Sequence, residues 1–267
     1  MKQRIITALV AAPIVLALVF ATNSLPIFVL SIACIFLACD ELAWIVYARR
    51  TWIPYLCASF FAATAWGLQG LYKDHRERIV WVLGAVLILA LLWIWAELTR
   101  GEKRRIIVPG LVWIMAPVLG LLLLHYSVPK TRLALWWPNP LLMALVPIWA
   151  GDTLAILVGK RIGRRPLWPT VSPKKTWEGA AANLSGCVAA SYALAPSIGL
   201  NWRQGILIGL VGGVLGQYGD LLESAIKRVF DAKDSGWIMP GHGGLLDRLD
   251  SILLPALPIA ALILFYR

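Results

Sequence analysis

The chain contains nine apolar runs, each about as long as a helix that crosses a bilayer. A transmembrane helix needs about 20 predominantly apolar residues to span the hydrocarbon core. Charged or turn-forming residues separate the runs, which cover approximately residues 5–22, 25–47, 52–71, 79–98, 106–126, 139–158, 178–197, 204–222 and 251–266. The pattern predicts an all-α, polytopic membrane protein with about nine transmembrane helices, in which residues 1–267 form a single integral membrane domain.

The composition supports this class. Of the 267 residues, 60% are hydrophobic and 15% are charged, whereas soluble domains average about 45–50% and about 25%. These values exclude a disordered chain, a disulfide scaffold and an ordinary cytosolic enzyme. The four cysteines all lie inside apolar runs and form no Cys-x-x-Cys pair. We expect them to act as small hydrophobic side chains.

The N-terminal run resembles a signal peptide, because Lys2 and Arg4 precede an apolar stretch. Residues 5–22 are longer than the usual apolar region of about 7–15 residues, and residues 20–23 make a poor cleavage site. We therefore interpret this run as an uncleaved first span, with a cleaved signal as the alternative.

The distribution of basic residues predicts the orientation. With the N-terminus inside, 18 of the 25 Lys and Arg residues fall on the inner side, as expected for a membrane protein with a cytoplasmic N-terminus. The long hydrophilic stretches, residues 159–177 and 223–250, then both face the cytoplasm and are the predicted site loops. The net charge of +11 suits anionic lipid head groups or nucleotides. No pattern typical of nucleic-acid binding is present.

The stretch 223–250 contains groups suited to holding phosphates. Glycines at residues 241, 243 and 244 allow the backbone to approach a ligand and turn its N–H groups inward. Lys227, Arg228 and Arg248 add cationic donors. His242, flanked by glycines in a polar loop, is predicted to donate a hydrogen bond to phosphate, and metal ligation is the less favoured alternative.

Carboxylates accompany these donors. Asp247 and Asp250 share a face if a helix begins there, since they are three residues apart. Asp220 follows an apolar stretch, where a charge costs about 2.5–3.5 kcal/mol at mid-bilayer unless a cation or an Arg offsets it. Carboxylates beside groups that donate hydrogen bonds to phosphate are suited to binding Mg²⁺. The alternative for the stretch 223–250 is a solvated charged loop, and the alternative for Asp220 is a hydrated residue at the end of a span. Asp152 can likewise be either a site residue or a hydrated boundary residue.

The segment 159–179, which extends the first of these stretches by two residues, holds six basic residues and one acid. Ser172, Lys174 and Lys175 lie in a proline-containing, hydroxyl-rich segment suited to positioning a phosphate. Thr176, followed by an acid and an apolar run, is a plausible helix start. The alternative is that these charges only mark the cytoplasmic side.

Residues 224–250 resemble the signature of the phosphatidate cytidylyltransferases (CDP-diacylglycerol synthases). That pattern has Ser and Lys-Arg, then Lys-Asp, then Pro-x-His-Gly-Gly and Asp-Arg-x-Asp, and every polar element is present here. Met239 stands where Ile, Leu or Phe is usual. Asp152 and residues 172–179 are similar to that family's other conserved block, although residues 154–156 lack the Tyr that is frequent there.

The resemblance implies a Mg²⁺-dependent, inner-membrane transfer of CMP from CTP to phosphatidate, by a bacterial enzyme that is homodimeric and whose site faces the cytoplasm. In that family the acids matching Asp220 and Asp247 are the expected metal ligands. We expect the basic residues of 223–250 and His242 to hold phosphates, and Lys174 and Lys175 to draw the lipid head group inward. Asp250 is expected to lie behind the metal ligands or to bind a second cation. The candidates for catalysis are Lys227, Arg228, His242 and Arg248, and those for substrate binding are Ser172, Lys174, Lys175, Gly243, Gly244 and Asp250.

Three other functions fit the sequence less well. A secondary transporter for an anion also uses intramembrane Asp residues, but it predicts two pseudo-repeated halves, which the chain does not show. A transferase that uses CDP-diacylglycerol as donor would normally carry an Asp-x-x-Asp-Gly-x-x-Ala-Arg helix, which is missing from the sequence. A non-catalytic membrane protein would not need the glycine–histidine run beside clustered acids.

Overall fold

The computed structural model describes residues 24–74, 102–127, 139–236 and 243–266. These parts of the chain are almost entirely helical. The helices are α1 (Ser24–Tyr47), α2 (Ile53–Asp74), α3 (Glu102–Tyr126), α4 (Pro140–Ile162), α5 (Trp177–Leu194), α6 (Trp202–Val229) and α7 (Leu246–Tyr266). A short 3₁₀ turn, Ala195–Ile198, follows α5. The predicted spans 5–22 and 79–98 lie outside the described residues.

Within the described residues, five helices are long and apolar enough to cross a membrane: α1, the Ile106–Tyr126 part of α3, α4, α6 and α7. The helices α2 and α5 also cover predicted spans but are not among these five. Large apolar side chains are exposed on the helix surfaces, among them Phe60 at 65%, Trp66 at 67% and Tyr218 at 63%. Exposed apolar area of this kind suits contact with lipid. An all-α membrane protein is therefore confirmed; nine spans and an inner N-terminus stay predictions.

Two clusters of buried apolar side chains hold the helices together, and α7 contributes to both. One cluster joins α1, α2 and α3, with Leu246, Leu253 and Leu257 from α7. The other joins α4, α6 and the 3₁₀ turn, with Ile252, Ile259 and Ile263 from the same helix among its members. Because its two sides pack against different groups of helices, α7 fixes their relative position. Its N-terminus carries the acids of the Asp-Arg-x-Asp motif.

The stretch between α4 and α5 forms a small hairpin that the sequence did not predict. Strands β1 (Pro166–Trp168) and β2 (Ser172–Thr176) pair antiparallel, with Pro166 opposite Thr176. The predicted helix start at Thr176 is confirmed, since its hydroxyl oxygen accepts a hydrogen bond from the Gly179 N–H at 3.2 Å. Glu178 Oε2 accepts from the Arg164 and Arg165 N–H groups at 3.1 and 3.3 Å, which ties the base of the hairpin to α5.

Candidate active site

Glycines on α6 let this helix approach the start of α7 closely. A Cβ atom at Gly216 would lie 3.0 Å from the Ser251 carbonyl oxygen, and one at Gly219 would overlap the Asp250 carbonyl oxygen. Side chains one or two turns apart on α6 therefore face the first turns of α7. The groups brought together in this way are Asp220, Glu223 and Lys227 from α6 with Asp247 and Asp250 from α7.

Lys227 lies between two carboxylates. Its Nζ donates to Glu223 Oε2 at 2.7 Å and to Asp247 Oδ1 at 2.5 Å. Lys227 is only 8% exposed and Glu223 only 1%. Charges buried to this degree are tolerated when they are paired and hydrogen-bonded. The ammonium group thus offsets part of the negative charge of the acids beside it.

Asp247 is fixed by the backbone as well as by Lys227. Its Oδ2 accepts from the Ser235 N–H at 3.0 Å and from the Gly244 N–H at 2.8 Å. Gly243 has a φ of +83°, and a Cβ there would lie 2.6 Å from Asp247 Oδ2. Only glycine adopts this conformation without strain. The Gly244 N–H, expected to face a ligand, is therefore used by Asp247, while Gly241 and His242 lie outside the described residues.

The second lysine–aspartate pair joins the hairpin to α6. Lys175 Nζ and Asp220 Oδ2 are 2.6 Å apart, and both side chains are partly exposed. The charge of Asp220 is offset by a cationic side chain. This side chain is a lysine of this chain, whereas the sequence suggested a bound cation or an arginine. Lys174 is exposed on the strand, whereas Ser172 is partly buried where β2 begins. Of the three predicted phosphate-binding residues in this stretch, Lys175 is the one that the structure places beside the predicted metal ligand Asp220.

The sequence did not decide whether Asp152 is a site residue or a hydrated boundary residue. In the structure it belongs to a hydrogen-bond network that links four helices. Its carboxylate accepts from Asn183 Nδ2 at 2.9 Å and from the Ser251 hydroxyl at 2.8 Å. Asn183 Oδ1 in turn accepts from Gln217 Nε2 at 3.2 Å. The charge of Asp152 also interacts with that of Asp220. This network holds the acid on α4 at the same polar region as the α6–α7 contact.

The two candidate arginines lie at the edge of this region. Arg228 is exposed, and its guanidinium donates to the Ala232 carbonyl oxygen at 3.2 Å. Arg248 is exposed on the first turn of α7. Both remain predicted phosphate-holding residues.

Sequence reasoning missed Glu41 on α1, although a charged residue inside an apolar run is itself a signal of function. Glu41 is 4% exposed, and its carboxylate accepts from the backbone N–H groups of Leu245 and Leu246 at 2.9 and 2.8 Å. The separation of about 200 positions along the chain explains why no local motif contains it.

The acidic cluster has the composition expected of a cation site. It consists of five carboxylates, balanced by Lys175 and Lys227, so an excess of negative charge remains when all are ionised. One carboxylate oxygen, Glu223 Oε1, is buried and has no hydrogen-bond partner in the described part of the chain. Among described residues, no three His, Cys, Asp or Glu side chains form a metal-binding group by themselves. Mg²⁺ at phosphate sites takes only one or two carboxylates, so the donor set fits. The five carboxylates are those of Asp152, Asp220, Glu223, Asp247 and Asp250.

Fold and site together define an all-helical membrane protein that gathers lysines, carboxylates and a glycine-containing turn beside apolar helices. Such an arrangement is suited to phosphate chemistry at a membrane boundary. The family model of the cytidylyltransferase family matches residues 2–266. The chain belongs to this family, and this membership excludes the transporter considered from the sequence.

Curated relatives agree with the family. The chain is 34% identical to a phosphatidate cytidylyltransferase of Bacillus subtilis over 95% of its own length and 94% of the relative's. A phosphatidate cytidylyltransferase of Staphylococcus aureus is 45% identical over 45% of this chain and 47% of the relative. A chloroplastic one from Arabidopsis thaliana is 48% identical over 42% of this chain and 29% of the relative.

Proposed function

We propose that this chain transfers CMP from CTP to phosphatidate, giving CDP-diacylglycerol and pyrophosphate. The observation that carries the proposal is the presence of two lysine–aspartate pairs, Lys175–Asp220 and Lys227–Asp247, at the α6–α7 contact of a cytidylyltransferase. The names of the relatives support phosphatidate as the acceptor.

The chemistry needs little acid–base catalysis. A phosphomonoester has a second pKa of about 6, so phosphatidate is largely a dianion at neutral pH. Its phosphate oxygen attacks the α-phosphorus of CTP, and the bond from that phosphorus to the oxygen bridging the β-phosphorus breaks, which releases pyrophosphate. The barrier is the approach of two polyanions and the charge that develops on the phosphoryl groups. Positioned cations lower this barrier.

Residues of this chain supply the binding groups. Lys175 on the hairpin and Lys227 on α6 are placed to hold phosphates in exchange for their carboxylate partners, and Arg228, His242 and Arg248 are proposed to assist. Asp220 and Asp247 would hold Mg²⁺, with Asp250 near both. When bound, the ion would neutralise charge on the triphosphate.

The position of the site along α6 suits a lipid substrate. Asp220 is 18 residues beyond Trp202, or about 27 Å at the rise of an α-helix, close to the roughly 30 Å thickness of the hydrocarbon core. A head group at this boundary can react while its acyl chains stay in the membrane. The bias of basic residues favours the cytoplasmic leaflet, where CTP is available. An inner-membrane location and a homodimer belong to the same proposal.

The direct test supplies detergent-purified protein with cytidine-labelled CTP, Mg²⁺ and phosphatidate and measures label in the lipid extract. We expect lipid-soluble cytidylate with phosphatidate and none with diacylglycerol, which lacks the phosphate nucleophile. Removal of Mg²⁺ with EDTA should abolish the product. Folded protein that forms no labelled lipid under these conditions would contradict the proposed function.

A further inference from the structure

Glu41 connects α1 to the N-terminus of α7 through two hydrogen bonds and to Ser235 through a third. Its Oε1 accepts from the Leu245 N–H at 2.9 Å, and its Oε2 accepts from the Leu246 N–H at 2.8 Å. The Ser235 hydroxyl donates to Oε2 at 3.1 Å. One buried carboxylate thus holds the loop that follows α6 and the turn that begins α7.

Helix physics explains why an acid is found there. The first N–H groups of a helix have no partner within the helix, and the positive end of its dipole favours a negative charge. A buried carboxylate, for its part, is tolerated when it is fully hydrogen-bonded. The Glu41 carboxylate therefore accepts hydrogen bonds from N–H groups at the start of α7, and these N–H groups in turn stabilise its buried charge.

Two glycines provide the space that this carboxylate occupies. A Cβ at Gly236 would lie 2.6 Å from Glu41 Oε1, and one at Gly244 would overlap both Glu41 and the Ser235 hydroxyl. Side chains at these positions would displace the carboxylate. Gly236 and Gly244 thus have a role within the protein that differs from direct ligand contact.

Ser235, whose hydroxyl Glu41 holds, also fixes Asp247, together with Gly244, the residue before Leu245. The N–H groups of Ser235 and Gly244 donate to Asp247 Oδ2, and the Ser235 hydroxyl oxygen accepts from the Asp247 N–H at 3.2 Å. Asp247 then presents its other oxygen to Lys227. A shift of Glu41 would therefore move Asp247 relative to Lys227.

We propose that Glu41 is a positioning residue for cytidylyl transfer: it anchors Ser235 and the N-terminus of α7, and so sets the position of Asp247 in the site. The proposal rests on the function proposed above. Glu41 acts through these groups and is not assigned to substrate contact.

The test compares Glu41→Gln with Asp40→Asn, which removes the same charge from the adjacent, partly buried position on α1. In Glu41→Gln an NH₂ group replaces one of the two carboxylate oxygens. A hydrogen-bond donor then faces N–H or O–H donors, so that hydrogen bonding is lost. We expect hydrogen exchange of whichever of the Leu245 and Leu246 amides then faces the NH₂ group to accelerate about tenfold or more, because this amide loses its acceptor. We also expect the KM for CTP to rise and kcat/KM for CTP to fall by about 10- to 100-fold. Asp40→Asn should match the unaltered protein in both measurements.

A purely structural role would reduce the amount of active protein and leave the KM for CTP unchanged, and this result would overturn the proposal. Unchanged amide exchange in Glu41→Gln would overturn it as well. If that variant does not fold, Ser235→Ala removes the hydroxyl bridge alone and should raise the KM for CTP in the same direction; an unchanged KM there counts against the proposal. Unaltered protein without any CMP transfer would contradict the proposed function instead, while amide exchange would still decide whether Glu41 anchors α7.

Discussion

Lys227 shows how a single side chain can stabilise a site that is crowded with acids. It contacts Glu223 and Asp247, both of which are largely shielded from solvent. Removal of one partner from a buried ion pair is costly because the remaining charge is left uncompensated. Here two carboxylates depend on one ammonium group.

We predict that Lys227→Met lowers the free energy of unfolding by about 3–5 kcal/mol. The neighbouring Arg228 is exposed, so Arg228→Met should change stability by about 0.5 kcal/mol or less. Denaturant titration of both variants in the same detergent measures the difference. Equal stabilities for the two would show that Lys227 does not balance the acids.

Gly243 permits a second test at a single residue. Its φ of +83° and the proximity of Asp247 both oppose a side chain. Gly199 has a similar φ of +80°, but nothing lies within 4 Å of a Cβ built there. The two glycines therefore separate backbone strain from the clash with Asp247.

Substitution of either glycine by Ala should cost about 1–2 kcal/mol through the left-handed backbone. We predict that Gly243→Ala also lowers kcat for CMP transfer, because its methyl group displaces the Asp247 carboxylate, whereas Gly199→Ala keeps the kcat of the unaltered protein. Steady-state kinetics measure kcat for both variants, and equal kcat values would contradict the role given to Gly243.

At the scale of helices, the site depends on how closely α6 approaches α7. Gly216 and Gly219 meet backbone atoms of α7, so this part of the interface has no room for side chains. Farther along α6, toward its N-terminus, Gly212 faces Ile259 and Ile148, with a Cβ at ordinary contact distances of 3.5 and 3.7 Å. On the side of α6 that packs against α7, the requirement for glycine is thus concentrated beside the acids.

Gly219→Ala should separate the two helices and reduce CMP transfer, since Asp220 would move away from Asp250. Gly212→Ala should be tolerated, and it should stabilise α6 by about 0.5–1 kcal/mol because Ala favours the helix. Activity and denaturant midpoints of the two variants test the prediction. Full activity in Gly219→Ala would show that close packing of α6 on α7 is not required.

Across the whole molecule, the features that the sequence predicted are those determined by residues close together in the chain. Apolar runs predicted most helix ends of the described region to within about four residues, because the hydropathy of a segment reflects its own surroundings. The end of α6 was predicted at residue 222, yet this helix continues to Val229. The start of α7 was predicted at residue 251, yet the helix begins at Leu246. Its first turn is stabilised by Ser235 and by Glu41, and Glu41 is distant in the chain. The Asn183–Asp152 hydrogen bond was missed for the same reason.

The orientation of the molecule gives a prediction at this scale. Lys174 on the hairpin and Trp202 at the start of α6 are both exposed, and they lie at opposite ends of α5 and α6. We predict that a membrane-impermeant maleimide labels Lys174→Cys only from the cytoplasmic side and Trp202→Cys only from the outer side. The unaltered chain with its four cysteines gives the background. Labelling of both positions from one side would contradict the orientation.

The most direct measurement follows the fate of each phosphate of CTP. Purified protein is given phosphatidate, Mg²⁺ and CTP labelled at either the α- or the γ-phosphate. We expect α-label in the lipid and γ-label in pyrophosphate. Asp220→Asn should greatly reduce the rate, whereas Asp231→Asn, at an exposed position with a φ of 53°, should leave it unchanged. Gamma-label in the lipid, or equal rates in the two variants, would contradict cytidylyl transfer at the α6–α7 site.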